Sequence, residues 1–286
     1  MSKPPVIVPC QWLAERLDAP EIVVVDCRFD LSDPQAGRRA YETGHIPGAV
    51  YFDLEQDLSA PVQKPGPRHP LPDMDRFVEK LEAAGIGEGV TVVCYDGQQG
   101  MVAARLWWML RYLGHDAVCV LDGGFQAWCE AGLPVTAEVP ARPPRRFVPR
   151  VRPEMAVSMA DVQRMVQERS GVLVDARAPE RYRGEVEPLD PVAGHIPGAR
   201  NLPWMGNLDA SGRWRNPKEL AERFAALKRQ EPVVMYCGSG VSACVNVLAM
   251  AHAGFEPLPR LYVGSWSEWC SVAGNPVAKV DTGKGA

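Results

Sequence analysis

The chain contains eight cysteines but no CxxC pair, which argues against a zinc site or a thioredoxin-type dithiol. It has no GxGxxG phrase after a strand, no Walker loop and no His/Cys ligand spacing, so no metal, nucleotide or flavin is implied. No apolar run approaches the length of a membrane helix. The opening Met1-Ser2-Lys3-Pro4-Pro5 lacks the charged-then-apolar pattern of a signal peptide. In a chain this long the cysteines are then not read as a disulfide framework, and a cytoplasmic location is expected. A net charge of −4 gives no electrostatic footprint for nucleic acid. The remaining balance, 46% hydrophobic and 23% charged, is that of a globular protein.

What is present is a duplication. Gly44-His45-Ile46-Pro47-Gly48-Ala49 returns letter for letter as Gly194-His195-Ile196-Pro197-Gly198-Ala199. Each copy follows an apolar run ending in an acid, Val23-Val24-Val25-Asp26-Cys27-Arg28 and Val172-Leu173-Val174-Asp175-Ala176-Arg177. Each half closes on a related phrase, Leu121 to Trp128 and Leu261 to Trp269. Markers in the same order at so long a period indicate two tandem globular domains rather than a solenoid.

The boundary is marked by Pro140, Pro143, Pro144, Pro149 and Pro153, interleaved with five arginines. Proline blocks helix and stiffens an extended chain. The expected division is a first domain over 1–140, a Pro/Arg-rich linker over 141–153 and a second domain over 154–286. Ser158 and Asp161 predict a capped helix start. Short apolar runs near 22–26, 90–95, 117–121, 172–175, 232–236 and 259–263 alternate with helical stretches. That pattern predicts an α/β fold, each domain a mostly parallel sheet flanked by helices. Ligand sites in such sheets lie beyond the carboxyl ends of the strands.

Cys237 stands at that place. It follows the predicted strand Val233-Val234-Met235-Tyr236, opens the loop Gly238-Ser239-Gly240-Val241-Ser242, and precedes a predicted helix from Ala243 to Ala253. A glycine-rich turn lets backbone N–H groups point inward, and a helix N-terminus adds partial positive charge. Ser239 and Ser242 offer hydroxyl donors. The loop therefore predicts a cradle for an anionic sulfur, thiolate or persulfide. The matching place in the first half holds Asp96, so one half is expected to be active and the other supporting. Cys94 and Cys119 read as small buried hydrophobes. Cys129 and Cys270 follow tryptophans at matching repeat positions, and Cys244 lies too far along its helix to bridge Cys237. His45 and His195, like Asp26 and Asp175, occur in both halves and read as structural. Trp107 and Trp108 read as packing residues.

The repeat, the GHIPGA phrases and the Cys237 loop together resemble the two-domain rhodanese (sulfurtransferase) family over nearly the whole chain. The resemblance implies that Cys237 accepts a sulfane sulfur, holds it as a persulfide and passes it to a thiophilic acceptor. It leaves cyanide, thioredoxin, glutathione and other thiols open as acceptors. Thiosulfate-using members place arginine and lysine directly after the cysteine, where this chain has Gly238 and Ser239. The Gly-Ser-Gly-Val-hydroxyl loop and the phrase Gly264 to Trp269 look like the 3-mercaptopyruvate sulfurtransferases, although Ser242 stands where threonine is usual.

By the same resemblance Arg181 would bind the donor's carboxylate, a bidentate task suited to guanidinium. A second arginine, expected just before Asp190, is replaced by Leu189, so either Arg183 or Arg200 substitutes or the carboxylate is held less tightly. Ser239, His69 and Asp53 match a proton relay assigned in mercaptopyruvate enzymes, in which the histidine would carry the proton and the aspartate orient it. Two rivals within sulfur chemistry stay open, a thiosulfate-preferring enzyme and a persulfide carrier without turnover. A phosphatase of the same fold is set aside because its loop is one residue longer and ends in a phosphate-gripping arginine, whereas this loop runs on to Ala243 and Cys244.

Overall fold

The computed structural model describes residues 4–97, 99–227 and 232–280. Gln98 of the first-half loop, the opening Met1-Ser2-Lys3 and residues 281–286 of the second expected domain lie outside these. The chain forms two compact units. Unit 1 comprises Met1–Ala60, Leu71–Arg152 and Leu208–Trp214, and unit 2 comprises Pro61–Pro70, Pro153–Asn207 and Arg215–Ala286. Each unit thus takes in one short segment from the other half of the sequence.

Unit 1 contains strands β1 (Ile7–Val8), β2 (Ile22–Asp26), β3 (Val50–Tyr51), β4 (Thr91–Tyr95) and β5 (Val118–Leu121). Its helices are α1 (Cys10–Ala14), α2 (Ala36–Thr43), α3 (Met74–Ala83), α4 (Met101–Tyr112) and α5 (Gly124–Glu130). The sheet order is β1-β5-β4-β2-β3, and every pairing is parallel. Unit 2 repeats the plan with β6 (Ala156–Val157), β7 (Val172–Asp175), β8 (Arg200–Asn201), β9 (Val233–Tyr236) and β10 (Arg260–Tyr262). Its helices are α6 (Met159–Glu168), α7 (Pro179–Arg183), α8 (Pro217–Arg223), α9 (Ala243–His252) and α10 (Ser265–Trp269). The order β6-β10-β9-β7-β8 is again wholly parallel. The expected α/β class with two like domains is borne out. Among the described residues no helix is long and apolar enough to cross a membrane.

The apolar runs are continuous because a parallel sheet is covered on both faces. All five residues of β2 and all four of β9 are buried, whereas the edge strands β1, β3, β6 and β8 are only two residues long. Short edges offer little template for pairing with another chain. Helices α4 and α9 follow the central strands and are buried nearly all round, from Val102 to Arg111 and from Ala243 to Met250. A helix buried in this way needs apolar residues on every face. Helix α6 begins with the expected box, the Ser158 hydroxyl accepting from Asp161 N and the Asp161 carboxylate accepting from Ser158 N.

The repeated motif has a structural duty in both units. The Arg28 guanidinium pairs with Asp26 and donates to Gly44 O at 2.6 Å, and Arg177 pairs with Asp175 and donates to Gly194 O at 2.6 Å. Ile46 N and Ile196 N each donate to a tyrosine hydroxyl, Tyr95 and Tyr236, at 3.2 Å. His45 and His195 stack on Tyr41 and Tyr182 with ring centroids 3.9 Å apart, each bonded through Nδ1 to that tyrosine's carbonyl. Those histidines are spent on the fold. The Pro/Arg-rich stretch lies on unit 1, where Arg142 donates to Gly48 O and Ile22 O, Arg145 N to Glu82 O and Arg150 N to Leu113 O.

Arg177 and Asp175 are both buried, with side chains 1% and 0% exposed. Removing one partner leaves an uncompensated charge inside. The Arg177→Met variant is expected to lose about 3–5 kcal/mol of stability, read as a lowered urea midpoint for the unit 2 transition.

Candidate active site

The Cys237 loop is shaped by where its carbonyls go. The Cys237 carbonyl accepts from Trp266 N and the Gly238 carbonyl from Ser267 N, both at 2.9 Å. Both donors sit at the start of α10. With these carbonyls drawn outward, the chain turns back and directs Gly240 N to Cys237 Sγ at 3.2 Å. Gly240 adopts φ +77°, and a Cβ there would lie 2.3 Å from Val263 O. No other residue type fits that backbone and that space. Ser265 secures the start of the loop. Its hydroxyl accepts from Cys237 N at 3.1 Å and donates to Tyr262 O at 2.9 Å. It does so from a left-handed backbone, φ +55°, a conformation that costs a non-glycine residue on the order of 1–3 kcal/mol and is held by these bonds.

The helix that follows, α9, carries no side-chain cap; Cys244 N and Val245 N bond Val241 O and Ser242 O, and the aligned peptide dipoles give the helix a positive end at the loop. Because α9 is buried, that field is weakly screened. Unit 1 shows what such a turn holds. Asp96 is fully buried in the matching place, and its carboxylate accepts from Gly100 N at 2.8 Å, Val102 N at 2.8 Å and Ala103 N at 2.9 Å. The turn in unit 1 is an anion cradle filled by its own side chain, and the turn in unit 2 has a sulfur there instead.

Cys237 differs in kind from its neighbours. Among the described residues no disulfide joins any of the eight cysteines. Cys10, Cys27, Cys119, Cys244 and Cys270 direct their thiols at backbone carbonyls, whereas the Cys237 sulfur accepts from an amide. Burial pushes the Cys27 and Cys94 thiols well up, and that of Cys270 to about 11, which keeps them protonated and inert. Among the described residues no cluster of three His, Cys, Asp or Glu side chains is placed to hold a metal ion.

The hydroxyls are used differently from expectation. Among the described residues neither Ser239 nor Ser242 bonds Cys237 Sγ. The Ser239 hydroxyl lies 2.7 Å from His69 Nδ1, with both residues buried, and Ser242 stands at the N-cap position with no side-chain cap bond. Val241 is buried in the loop wall. Two members of the expected relay thus meet, because the segment Pro61–Pro70 belongs to unit 2. Asp53 belongs to unit 1, where its carboxylate accepts from Tyr51 OH, Glu55 N and Gln56 N.

Arg181 stands beside the loop, since a Cβ on Gly238 would lie 3.6 Å from its Nη1 and Nη2. It is held by Glu187 and by Asp190, the latter at 3.3 Å. The expected substitutes for the missing arginine are engaged elsewhere, Arg183 with Glu185 and Arg200 with Ala226 O. Leu189 is exposed. Arg68, from a distant segment, pairs with Asp190. Its guanidinium bonds Asp190 at 2.9 and 3.3 Å, and its Nη2 lies 2.6 Å from where a Gly238 Cβ would be. Ser267 Oγ accepts from Arg68 N at 3.1 Å. Arg68, Ser265 and Ser267 drew no assignment from the sequence, although the first adjoins His69 and the others lie in the phrase shared by the two halves.

Burial alone would raise the Glu187 carboxyl, but hydrogen bonds from Arg181 and from the Leu189 and Asp190 amides bring it below the ordinary value. A depressed folded value stabilises the protein above the ordinary glutamate range, and that contribution is lost as pH falls through the folded value. Between about pH 7 and about pH 3, the unaltered protein is expected to lose more urea stability than the Glu187→Gln variant. Parallel losses in the two proteins would show that this carboxylate carries none of the acid sensitivity.

The rhodanese-like domain family matches residues 9–131 and 158–272 of the chain. The "Probable 3-mercaptopyruvate sulfurtransferase" of Pseudomonas aeruginosa is 49% identical over 280 residues, covering 96% of this chain and 98% of that one. The 3-mercaptopyruvate sulfurtransferase of Homo sapiens is 36% identical over 294 residues, covering 98% and 96%. The crystal structure of SseA from Escherichia coli, described with the fold and mechanism of 3-mercaptopyruvate sulfotransferases, superposes with a TM-score of 0.80 at 34% identity, covering 92% of this chain and 99% of that one.

Proposed function

The chain belongs to the rhodanese family, and from that premise we propose that it is a sulfurtransferase moving sulfur from 3-mercaptopyruvate to a thiophilic acceptor through a persulfide on Cys237. The observation that carries this reading is the Cys237 sulfur accepting an amide N–H at the C-terminal end of β9, where the other half of the chain holds an anion. The names of the relatives support the donor.

In the first half-reaction the Cys237 thiolate attacks the donor sulfur. The C–S bond breaks, its electron pair passes to C3 of the leaving group as the enolate of pyruvate, and the sulfur remains on Cys237. The loop amide and the positive end of α9 stabilise the persulfide anion. The enolate takes up a proton at C3. The Ser239–His69 pair is the proton carrier in this proposal, with histidine suited to exchange near neutrality. Asp53 is the third member of the relay. In the second half-reaction the acceptor attacks the outer sulfur, the S–S bond breaks and Cys237 leaves as thiolate. Cyanide would depart as thiocyanate and a thiol such as glutathione or thioredoxin as its persulfide. Arg181 holds the donor carboxylate, and Gly238, Val241 and Ser242 shape the pocket. The nucleophile and its loop are thus assigned to the second domain, with two relay residues, His69 and Asp53, supplied by the first half of the sequence. A cytoplasmic setting is part of the proposal, in keeping with eight cysteines outside any disulfide among the described residues.

The test is kcat/KM for 3-mercaptopyruvate and for thiosulfate, side by side, with cyanide as acceptor. The expected result is a clear preference for mercaptopyruvate and complete loss with Cys237→Ser, the variant remaining folded. Preference for thiosulfate would overturn the donor, and single-turnover loading without steady turnover would make the protein a carrier. A folded Cys237→Ser variant that still turns over would sink the persulfide.

The relay has its own signature. Sulfite leaves thiosulfate as a stable anion, whereas the pyruvate enolate needs a proton. His69→Ala is expected to lower kcat for mercaptopyruvate by about a hundredfold or more and to affect thiosulfate far less. Equal losses on both donors would assign His69 to packing.

A further inference from the structure

We infer that the Pro/Arg-rich strap on unit 1 is a docking surface for a partner protein, which lays an acidic segment along Arg142, Arg145, Arg146 and Arg150. This goes beyond the sulfurtransferase reading and rests neither on the sulfur donor nor on the Cys237 loop.

The first observation is uncompensated charge. Arg152, at the end of the strap, pairs with Asp116 at 2.8 Å. Among the described residues the other four arginines pair with no carboxylate. Arg142 gives its N–H groups to Gly48 O and Ile22 O, and Arg145 to Pro20 O. The side chains of Arg146 and Arg150 bond none of the described residues, and both residues are exposed. A guanidinium that meets only carbonyls or water keeps its full charge. The strap is thus a cationic row on a chain whose net charge is −4.

The second is rigidity. No helix or strand forms over 137–152, yet the strap is fixed. Arg145 N donates to Glu82 O, Arg150 N to Leu113 O and Arg152 N to Tyr112 O, while Phe147 N donates to the Glu82 carboxylate at 2.8 Å. The strap lies so close that a Cβ on Gly87 would stand 2.5 Å from Arg146 O, and one on Gly114 2.7 Å from Arg150 O. The row is therefore held before any partner arrives, which lowers the ordering cost of binding. In an extended proline-rich chain Arg142 and Arg150 stand about 25 Å apart, the reach of a short extended segment.

The third is the chemistry along the row. Guanidinium forks suit carboxylates and phosphates alike. Exposed Val139, Val148 and Val151 interleave the arginines. A nucleic acid strand takes aromatic platforms between its basic contacts, and the one ring of the strap, Phe147, is buried. A cavity of about 520 Å³ opens beside Phe147, Val148 and Arg150, with room for an apolar side chain. Glu88 and Asp116 also line it, and Asp116 is held by Arg111 and Arg152. Pro140, Pro143, Pro144 and Pro149 remove the N–H donors that strand addition needs. The partner segment thus docks by side chains, carboxylates on the arginines and apolar residues between them.

The test uses the full chain and a short fluorescein-labelled peptide of Glu-Glu-Val repeats, followed by anisotropy at low salt. Arg146→Gln/Arg150→Gln removes two exposed guanidiniums and breaks no side-chain bond among the described residues. Arg39→Gln/Arg164→Gln removes the same charge where the arginines pair with Asp33 and Asp161. The unaltered protein is expected to bind the peptide, and the strap variant to raise its Kd about fivefold or more, with the control variant close to the unaltered protein. Absence of binding by the unaltered protein overturns the inference. So does an equal loss in the two variants, the sign of net charge alone, or equal binding of a Gln-Gln-Val peptide. Tighter, strap-dependent binding of single-stranded oligothymidine would assign the row to nucleic acid and overturn the protein partner. Sulfur transfer to cyanide is expected to be equal in all three proteins. A loss confined to the strap variant would overturn the separation of this surface from the Cys237 loop.

Discussion

The site depends on one constraint of backbone bonding, the removal of two carbonyls from the turn after β9. A strand that ends and a helix that begins within six residues must dispose of every N–H and C=O between them. Here Trp266 N and Ser267 N take the carbonyls of Cys237 and Gly238 from outside, and the amide of Gly240 is left for the sulfur. The glycine at 240, the strained serine at 265 and the uncapped start of α9 all serve that arrangement. A side chain on Gly240 or a relaxed backbone at Ser265 would turn the donors away from the thiol.

The two halves illustrate what a duplicated fold retains and what it changes. The Asp–Arg pair, the histidine stacked on tyrosine and the tyrosine bonded to the isoleucine amide are the same in both units, since they hold the parallel sheet to its flanking turn. The occupant of the loop is not the same. In unit 1 a carboxylate satisfies three amides and closes the cradle. In unit 2 a thiol leaves it open to chemistry. One scaffold thus yields an inert turn and a reactive one through the side chain at a single position.

Charge around the reactive turn is organised in a second layer. Asp175, Glu187 and Asp190 are buried and pair with Arg177, Arg181 and Arg68. The carboxylates lie inside and the last two guanidiniums reach outward, so the network neutralises itself while presenting donors at its rim.

Much of this was legible in the sequence. The repeat, the central strands, the helices after them, the Ser158 box and the placing of Cys237 between strand and helix depend on neighbours along the chain, and periodicity with turn chemistry reports those. The structural duty of His45 and His195 followed from their presence in both halves. The sequence by itself thus determined the fold class, the duplication and the residue at the centre of the turn. Tertiary structure alone decided which side chains gather around it. His69 meets Ser239 across 170 positions, Arg68 meets Asp190 across 122, and Ser267 meets Arg68 across 199. Which guanidiniums gather beside Gly238 turns on which segment folds onto which unit, and local pattern carries no trace of that. The reason is physical. A strand or a turn is specified by short-range sterics and hydrogen bonding, whereas a guanidinium is placed by the packing of distant segments.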